Sequence, residues 1–309
     1  MGAATTVTLY ETFRAVFYTP FYLPFTLGNY AAEGLDVQLG APRKLGGAAP
    51  ALLAGEVDVI WSGPLKLIEH HDRDPGCPLV AFCEVVTRDP FFLVAREPNP
   101  GFRFHDLLDR TVGIVSEVPT PWLCLQDDIR RAGIDPDAVR RISDRTMPEN
   151  AAALRAGDVD VVQLFQPMVE SLVAEGAGHI WYAAATRGPT SYTTLITTRE
   201  TTSRTPDVVM AMTRAIYRSQ KWLHTKTPTE IGESVAEFFP GLSRELLVGA
   251  IERYLDLGIW GRNPRLPCVG FVRQKLAMLS GGYITRDVPY ESCVDNGFAD
   301  AVIAEDPAV

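Results

Sequence analysis

The chain has little of what marks a nucleic-acid-binding or membrane-spanning protein. Its 29 Lys and Arg residues are outnumbered by 38 Asp and Glu residues, which gives a net charge of −9. Binding of phosphate backbones requires concentrated cationic groups, so nucleic acid is not an expected partner. The sequence contains no apolar run near the roughly 18 residues that cross a bilayer. We therefore expect no direct insertion into a membrane.

Cysteine and histidine are too few and too scattered to indicate disulfides or a metal centre. The five cysteines are far apart and odd in number, so they cannot all pair within the chain, and reduced thiols are expected. No Cys-x-x-Cys motif is present, and the neighbouring His70 and His71 would point about 100° apart on a helix. We predict no metal site and no cofactor.

The first ten residues lack the basic region and apolar stretch of a secretory signal. They are typical of a first β-strand instead. Two localisations follow as expectations. The protein is periplasmic if a signal was removed from this chain, and cytoplasmic if the chain is complete as written.

A near-repeat is the most informative feature that is present. The segment Ala51–Val59 returns as Ala153–Val161, an offset of 153 − 51 = 102 residues. Each copy predicts a short helix that ends at a glycine, Gly55 or Gly157, and continues into an apolar strand. Each strand then leads into a helix start marked by proline. Two similar α/β units are therefore predicted.

Strands and helices alternate along the rest of the chain, which favours largely parallel sheets. A strand over residues 5–12 is followed by an aromatic-rich segment predicted as a loop and then a helix that ends at Gly34. The polar, proline-rich residues 96–101 suit a domain boundary. Residues 192–198 form a Thr-rich strand that we interpret as the return into the first unit. A mostly helical tail is predicted to pack across that unit.

The chain resembles type II periplasmic solute-binding proteins of ABC importers, in the branch for nitrate, taurine, alkanesulfonates and the pyrimidine precursor of thiamine. The segments that carry the resemblance are 31–37, Gly46-Gly47, 54–58, 106–115, 156–160, 205–222 and 288–291. The resemblance implies an α/β fold of two Rossmann-like lobes with mixed, mostly parallel sheets, joined by two crossings. Lobe I would comprise residues 1–94 and 197–309, and lobe II residues 95–196. A ligand would lie in the cleft between them, and an ABC permease would be the partner.

The candidate ligand-binding residues lie where strands end and helices begin, because these places offer unpaired backbone N–H groups. Carried over from the resemblance, they are Thr12, Tyr18, Trp61, Ser62, Gly63, Arg88, Ser116, Glu117, Thr120, Trp122, Gln166 and Tyr192. We predict no catalytic residue. Asp58 and Asp160 of the repeat are expected to belong to the scaffold. Ligand specificity is expected in the loops that follow the two copies of the repeat.

Several of these candidates also have a purely structural interpretation. Ser62 and Ser116 would only cap the helices that follow. The ring cluster of Phe13, Phe17, Tyr18, Phe21 and Tyr22 would be core, although some rings are expected to stack on a ligand, with Tyr18 and Trp61 as first choices.

The two charged candidates are open to a similar choice. Arg88 would form an ion pair rather than clamp an anion. Glu117 would be a first-turn residue stabilised by a helix dipole. As a ligand residue, Glu117 repels small anions, which favours a neutral or cationic heterocycle.

Binding is the function that these features favour. We predict a solute-binding protein that captures a small organic ligand, in the class of pyrimidine-like or other aromatic metabolites, by interlobe closure. The alternative is a cytoplasmic enzyme of the same fold, similar to thiamine-pyrimidine synthases, desulfinases or decarboxylases. For that role Cys83, Cys124 and His70 are isolated candidates. A third hypothesis is a cytoplasmic sensor without a transporter.

Overall fold

The structure is a computed structural model that describes residues 4–309. Its strands are β1 Thr5–Glu11, β2 Leu35–Gly40, β3 Val59–Ser62, β4 Leu79–Val86, β5 Phe92–Ala95, β6 Thr111–Gly113, β7 Arg140–Ile142, β8 Val161–Leu164, β9 His179–Ala183 and β10 Thr193–Thr198. Its helices are α1 Thr19–Thr26, α2 Asn29–Ala32, α3 Ala48–Leu53, α4 Pro64–Arg73, α5 Thr120–Arg131, α6 Met147–Ala156, α7 Met168–Ala174, α8 Arg199–Arg204, α9 Pro206–Leu223, α10 Pro228–Val235, α11 Arg244–Asp256, α12 Cys268–Ser280, α13 Tyr290–Cys293 and α14 Gly297–Glu305.

The strands form two mixed sheets with the same arrangement. The first has the order β2-β1-β3-β10-β4, with β1 parallel to β2 and β3, and β10 antiparallel to β3 and β4. The second has the order β7-β6-β8-β5-β9, with β6 parallel to β7 and β8, and β5 antiparallel to β8 and β9. Helices flank both sheets. The predicted α/β class with two lobes is confirmed.

The chain crosses between the sheets twice, and each crossing strand is the antiparallel member of the sheet that it enters. After β4 the chain leaves the first sheet, and β5 pairs within the second. After β9 it returns as β10, which confirms the crossing predicted over residues 192–198. The predicted lobe limits at 94/95 and 196/197 fall inside β5 and β10. Where the lobes divide stays a prediction.

The two copies of the repeat make the same hydrogen bonds in the two lobes. Gly55 and Gly157 have φ angles of 71° and 84°, which favour glycine. The Asp58 carboxylate accepts from the Thr8 backbone N–H at 2.7 Å, and the Asp160 carboxylate accepts from that of Thr111 at 2.8 Å. Both carboxylates therefore join a helix–strand unit to the neighbouring parallel strand. The repeat is scaffold, as expected.

The aromatic-rich segment after β1 differs from its prediction. Instead of a loop, it forms a 3₁₀ turn over Val16–Tyr18 and then α1, with Pro24 inside the helix. Proline there removes one backbone donor, which disfavours a helix when only local preference counts. Burial outweighs that cost because Phe21, Tyr22 and Leu23 are fully buried in the core.

The helical tail contacts both lobes rather than lobe I alone. Helix α9 packs on α1, α2 and β4, whereas α12 packs on both α4 and α5. Helix α11 contacts α7, and the Arg253 guanidinium pairs with Glu170 at 2.8 Å. Within residues 4–309, none of the helices is long and apolar enough to cross a bilayer.

Candidate functional site

A cavity of about 250 Å³ lies at the ends of the parallel strands, and both lobes contribute to its walls. Thr12 follows β1, Ser62 ends β3, Glu117 lies between β6 and α5, and Thr120 begins α5. The crossing segments add further side chains. The complete lining is Thr12, Phe13, Phe17, Tyr18, Leu45, Gly46, Ala48, Ala49, Ser62, Gly63, Leu65, Lys66, Phe91, Glu117, Val118, Pro119, Thr120 and Tyr192.

One wall of the cavity is aromatic. The rings of Phe17 and Tyr192 meet edge to face with centroids 6.0 Å apart, and Phe91 lies 6.3 Å from Tyr192. Phe13 and Tyr18 extend this wall, with their centroids 5.5 Å apart. Burial raises the pKa of Tyr18 and of Tyr192, so both phenols stay neutral. The wall offers flat, uncharged surfaces and two phenolic hydroxyls.

Helix N-termini form a second part of the lining. The first turns of α3, α4 and α5 contribute Ala48, Leu65 and Thr120, and no side chain caps any of these three helices. Free N–H groups and the positive end of a helix dipole favour hydrogen-bond acceptors. The interpretation of Ser62 and Ser116 as helix caps is wrong, because the N-cap residues are Gly63 and Pro119.

Glu117 is the carboxylate of the cavity wall. Its Oε1 accepts a hydrogen bond at 2.9 Å from the backbone N–H of Met147, the first residue of α6. Its Oε2 is buried, and within the described chain it has no hydrogen-bond partner. Glu117 was predicted to lie in the first turn of the following helix, α5, but that helix begins only at Thr120. Its carboxylate is held by α6 instead. One carboxylate oxygen is therefore left without a hydrogen-bond partner among the described residues.

Lys66 is a charged wall residue that sequence reasoning missed. Its ammonium group donates to Glu69 at 2.7 Å and to the Tyr283 hydroxyl at 3.4 Å. Burial is the largest single effect and opposes its charge, but the interactions with Glu69 and Tyr283 together outweigh burial and raise the pKa of Lys66. Glu69 also pairs with Arg73, so it offsets only part of the positive charge of these two cations. The predicted helix start at Pro64 places Lys66 in the first turn of α4, and this position could have identified it as a wall residue from the sequence.

Seven of the twelve predicted residues line the cavity. They are Thr12, Tyr18, Ser62, Gly63, Glu117, Thr120 and Tyr192. The other lining residues come from the same loops or their flanks, so the loops were identified better than the individual side chains. Contact of any of them with a ligand stays a prediction.

Trp61 lies away from the cavity although it precedes Ser62 directly. Its ring is fully buried and stacks on Phe21, with centroids 4.8 Å apart and an interplanar angle of 21°. Its Nε1 is buried and has no partner among residues 4–309. Successive residues of a strand face opposite sides of the sheet. Because Ser62 faces the cavity, Trp61 faces the core.

The other four predicted residues also lie elsewhere. Gln166 is fully buried, and its side-chain oxygen accepts from the Glu170 N–H at 2.9 Å near the start of α7. The Trp122 ring packs beneath the Arg141 guanidinium, 4.5 Å from its centroid. Ser116 is exposed, and Arg88 lines a different cavity.

The thiols and the histidine considered for catalysis are not in this lining either. Cys83 and Cys124 are buried, and burial raises the pKa of Cys124 to about 12. A protonated thiol is a poor nucleophile. His70 lies in the last turn of α4, where burial lowers its pKa. Among residues 4–309, no three His, Cys, Asp or Glu side chains are grouped to hold a metal ion.

Known proteins share this architecture over nearly the whole chain. The Bacillus subtilis (strain 168) protein named "Putative binding protein YtlA" is 24% identical over 303 residues, which cover 97% of this chain and 91% of that protein. The periplasmic aliphatic sulphonate binding protein SsuA from Escherichia coli is 14% identical, with a TM-score of 0.74 and coverage of 96% of this chain and 93% of SsuA. The desulfurization enzyme DSZB is also 14% identical, with a TM-score of 0.70 and coverage of 98% and 100%.

These structures show the fold, and they include both a binding protein and an enzyme. A family model described as NMT1/THI5 like matches residues 17–231, which is more than half of the chain. That match includes both copies of the repeat and all of the cavity lining except Thr12 and Phe13. The family resemblance found in the sequence is confirmed, and the chain belongs to the NMT1/THI5-like family.

Proposed function

We propose that this protein captures a small organic solute between its two lobes and delivers it to an ABC permease. The names of SsuA and YtlA, both binding proteins, support this proposal. The geometry supports it as well, because the lining of the cavity comes from both lobes and from both crossings. Closure of the lobes would enclose a ligand there and exclude water.

The proposed ligand class rests mainly on the unpaired Oε2 of Glu117. This oxygen belongs to a wall residue of a cavity whose lining includes five aromatic rings and in which Lys66 is already paired with Glu69. A small anion would be repelled by this carboxylate. A flat heterocycle with N–H or amino groups would stack on the rings and donate to Glu117. We therefore propose a neutral or cationic nitrogen heterocycle, such as a pyrimidine, as the ligand class.

Hydroxyl groups would orient such a ring. Ser62 and Thr120 lie on the walls of lobe I and lobe II, respectively. Thr12 donates to the Trp61 carbonyl at 2.8 Å, which fixes the end of β1 against the end of β3. The uncapped first turns of α4 and α5 add N–H donors for ring nitrogens or carbonyl oxygens. The wall thus combines one strong acceptor with several donors.

The crossings contain a buried ion-pair cluster suited to act as a pivot for closure. Arg187, before β10, pairs with Asp89, before β5, at 2.9 Å. The same guanidinium donates to Asp128 of α5 at 2.8 Å. All three side chains are at most 6% exposed. They join both crossings to lobe II, so we propose that the crossings move with that lobe.

A thermal-shift screen tests the proposal. Pyrimidines, aromatic acids, sulfonates and flavins are compared, because a ligand that binds only the folded state raises the melting temperature. We expect stabilisation by amino-substituted pyrimidines and none by sulfonates. Small-angle scattering should then show a more compact protein with the bound ligand. Stabilisation by sulfonates alone would contradict the proposed ligand class.

Two bulky variants locate the binding site. Thr120→Tyr fills the cavity from its half-exposed rim and should abolish stabilisation by the ligand. Thr225→Tyr places the same side chain at an exposed position that does not line the cavity and should leave stabilisation unchanged. Equal effects of both variants would argue against the cavity. Turnover of any ligand identified would favour the enzymatic alternative.

A further inference from the structure

A second cavity, of about 400 Å³, lies beside the crossings on the tail side of lobe I. The crossing segments contribute Thr87, Arg88 and Pro189 to its lining, and the tail contributes Trp260 and Arg262. Arg88, predicted from the sequence to hold a ligand, is therefore part of this cavity. The two cavities share none of their lining residues.

Glu84 forms the floor of this second cavity. The residue is 1% exposed, and its Oε1 lacks a hydrogen-bond partner within residues 4–309. Its backbone is held firmly, since its N–H donates to the Pro264 carbonyl at 2.7 Å and its own carbonyl accepts from Gln220 at 3.0 Å. Burial of an unpaired carboxyl group costs several kcal/mol, so such a group calls for an explanation.

A buried hydroxyl accompanies this carboxyl. Ser191 is 1% exposed, and its side chain lies close enough to the Glu84 carboxyl to affect its pKa. Its Oγ makes no hydrogen bond of normal geometry within the described chain. Burial raises the pKa of Glu84 to about 8, and Ser191 offsets part of that effect. At neutral pH the floor is therefore a largely uncharged carboxyl, and the Ser191 hydroxyl lies outside the cavity lining. Such a floor can both donate to and accept from a ligand hydroxyl.

The rim of the cavity is cationic. Arg265 pairs with Asp300 at 2.7 Å, whereas Arg88 and Arg262 form no ion pair with any residue in 4–309. Helix α12, which has 13 residues, begins at this rim without a side-chain cap or an acidic residue in its first turn. Its third residue, Gly270, lines the cavity. Two guanidinium groups and a helix N-terminus favour a carboxylate.

We propose that this cavity binds a small hydroxycarboxylate, whose carboxylate contacts Arg88, Arg262 and the start of α12 and whose hydroxyl contacts Glu84. The ligand explains both the unpaired buried carboxyl group and the unpaired arginines. This site is separate from the cleft, and its existence does not depend on which solute the cleft binds.

Three-carbon compounds test separately the carboxylate contact with the arginines and the hydroxyl contact with Glu84. Glycerate carries both a carboxylate and hydroxyls, propionate lacks the hydroxyls, and glycerol lacks the carboxylate. We expect saturable shifts of the Gly261 and Gly270 amide resonances with glycerate, and at least tenfold weaker binding of propionate and of glycerol. Both glycines line the cavity. Sodium chloride at matched ionic strength is the salt control, and equal shifts with it would overturn the proposal.

Variants test the residues. The double variant Arg88→Ala/Arg262→Ala should weaken glycerate binding at least tenfold, whereas Arg140→Ala, at an exposed arginine of β7, should not change it. Glu84→Leu should weaken glycerate but not propionate. If Glu84→Leu fails to fold, the arginine variants decide alone. No saturable shift in the wild-type protein, or the same affinity in the double arginine variant, would overturn the proposal.

Discussion

The Glu117 carboxylate accepts a hydrogen bond from the Met147 backbone N–H at 2.9 Å, which ties the loop before α5 to the first turn of α6. This bond uses Oε1 and leaves Oε2 buried without a partner among the residues described. A side chain held at one oxygen is pre-oriented, so a ligand loses little side-chain entropy in contacting the other. The contact determines where the charge of the cleft lies.

Glu117→Gln should weaken binding of an amino-substituted heterocycle by about 1 to 3 kcal/mol, since a charge-assisted hydrogen bond is lost. The amide oxygen still accepts from Met147, so the free energy of unfolding should change by less than about 1 kcal/mol. Calorimetric titration and urea unfolding measure the two quantities. Glu56→Gln, at an exposed glutamate of the repeat, is the matched control. Unchanged affinity in Glu117→Gln would remove Glu117 from the site.

Trp61→Ala should reduce the stability of the fold rather than specifically weaken ligand binding. The side chain is fully buried and stacks on Phe21, so its removal should cost about 3 to 5 kcal/mol of unfolding free energy. Urea unfolding is the measurement. The half-exposed ring of Trp122 offers a comparison, and Trp122→Ala should cost about 1 kcal/mol or less. A large loss of affinity at unchanged stability in Trp61→Ala would contradict this placement.

Arg187→Met should destabilise the protein by about 3 to 5 kcal/mol, because it leaves Asp89 and Asp128 buried without their cation. The surface pair of Arg155 and Glu175 provides the control, since Arg155→Met should cost about 1 kcal/mol or less. Both values come from chemical denaturation at pH 7. Similar losses in the two variants would show that the buried cluster contributes little more than a surface pair.

Glu84 should make stability fall as the pH rises from about 5 to 8. Burial raises its folded pKa to about 8, whereas the unfolded chain titrates near its ordinary value of about 4.3. Between these values the folded protein binds more protons than the unfolded chain, so a rising pH favours unfolding. Glu84→Gln removes this titration. The free energy of unfolding of Glu84→Gln, relative to that of the wild type, should therefore be about 3 kcal/mol higher at pH 8 than at pH 5.

Parallel denaturation series at pH 5 and pH 8 measure that difference, with Glu56→Gln as a control at an exposed position. A pH dependence identical in wild type and Glu84→Gln would show that Glu84 titrates as it does in the unfolded chain.

Periodic and local features were predictable from the sequence. The repeat predicted two equivalent helix–strand units, and the structure gives both the same hydrogen bonds at Asp58 and Asp160. Glycines at 55 and 157 marked the helix ends because a positive φ favours that residue. The cleft loops followed from the rule that sites lie where parallel strands end. These inferences need only short-range conformational preference and strand–helix order.

Side-chain destinations were less predictable. The α1 segment was predicted as a loop. Pro24 disfavours helix locally, and burial of the aromatic residues outweighs that preference. Trp61 and Ser62 are neighbours in sequence, but a shift of one residue in a strand exchanges the core for the cavity. Arg88 lies in a crossing, where a few residues decide which of two cavities receives the side chain.

The sequence by itself thus determined the family, the duplicated α/β unit and the loops that surround the cleft, because strand–helix order and glycine positions are local properties. Only the tertiary structure decided that Glu117 pairs with α6 and that Glu84 and Arg88 share a second cavity. Those relationships join residues far apart in the chain or on different elements. Their free energies depend on burial and partner geometry, which no local pattern encodes.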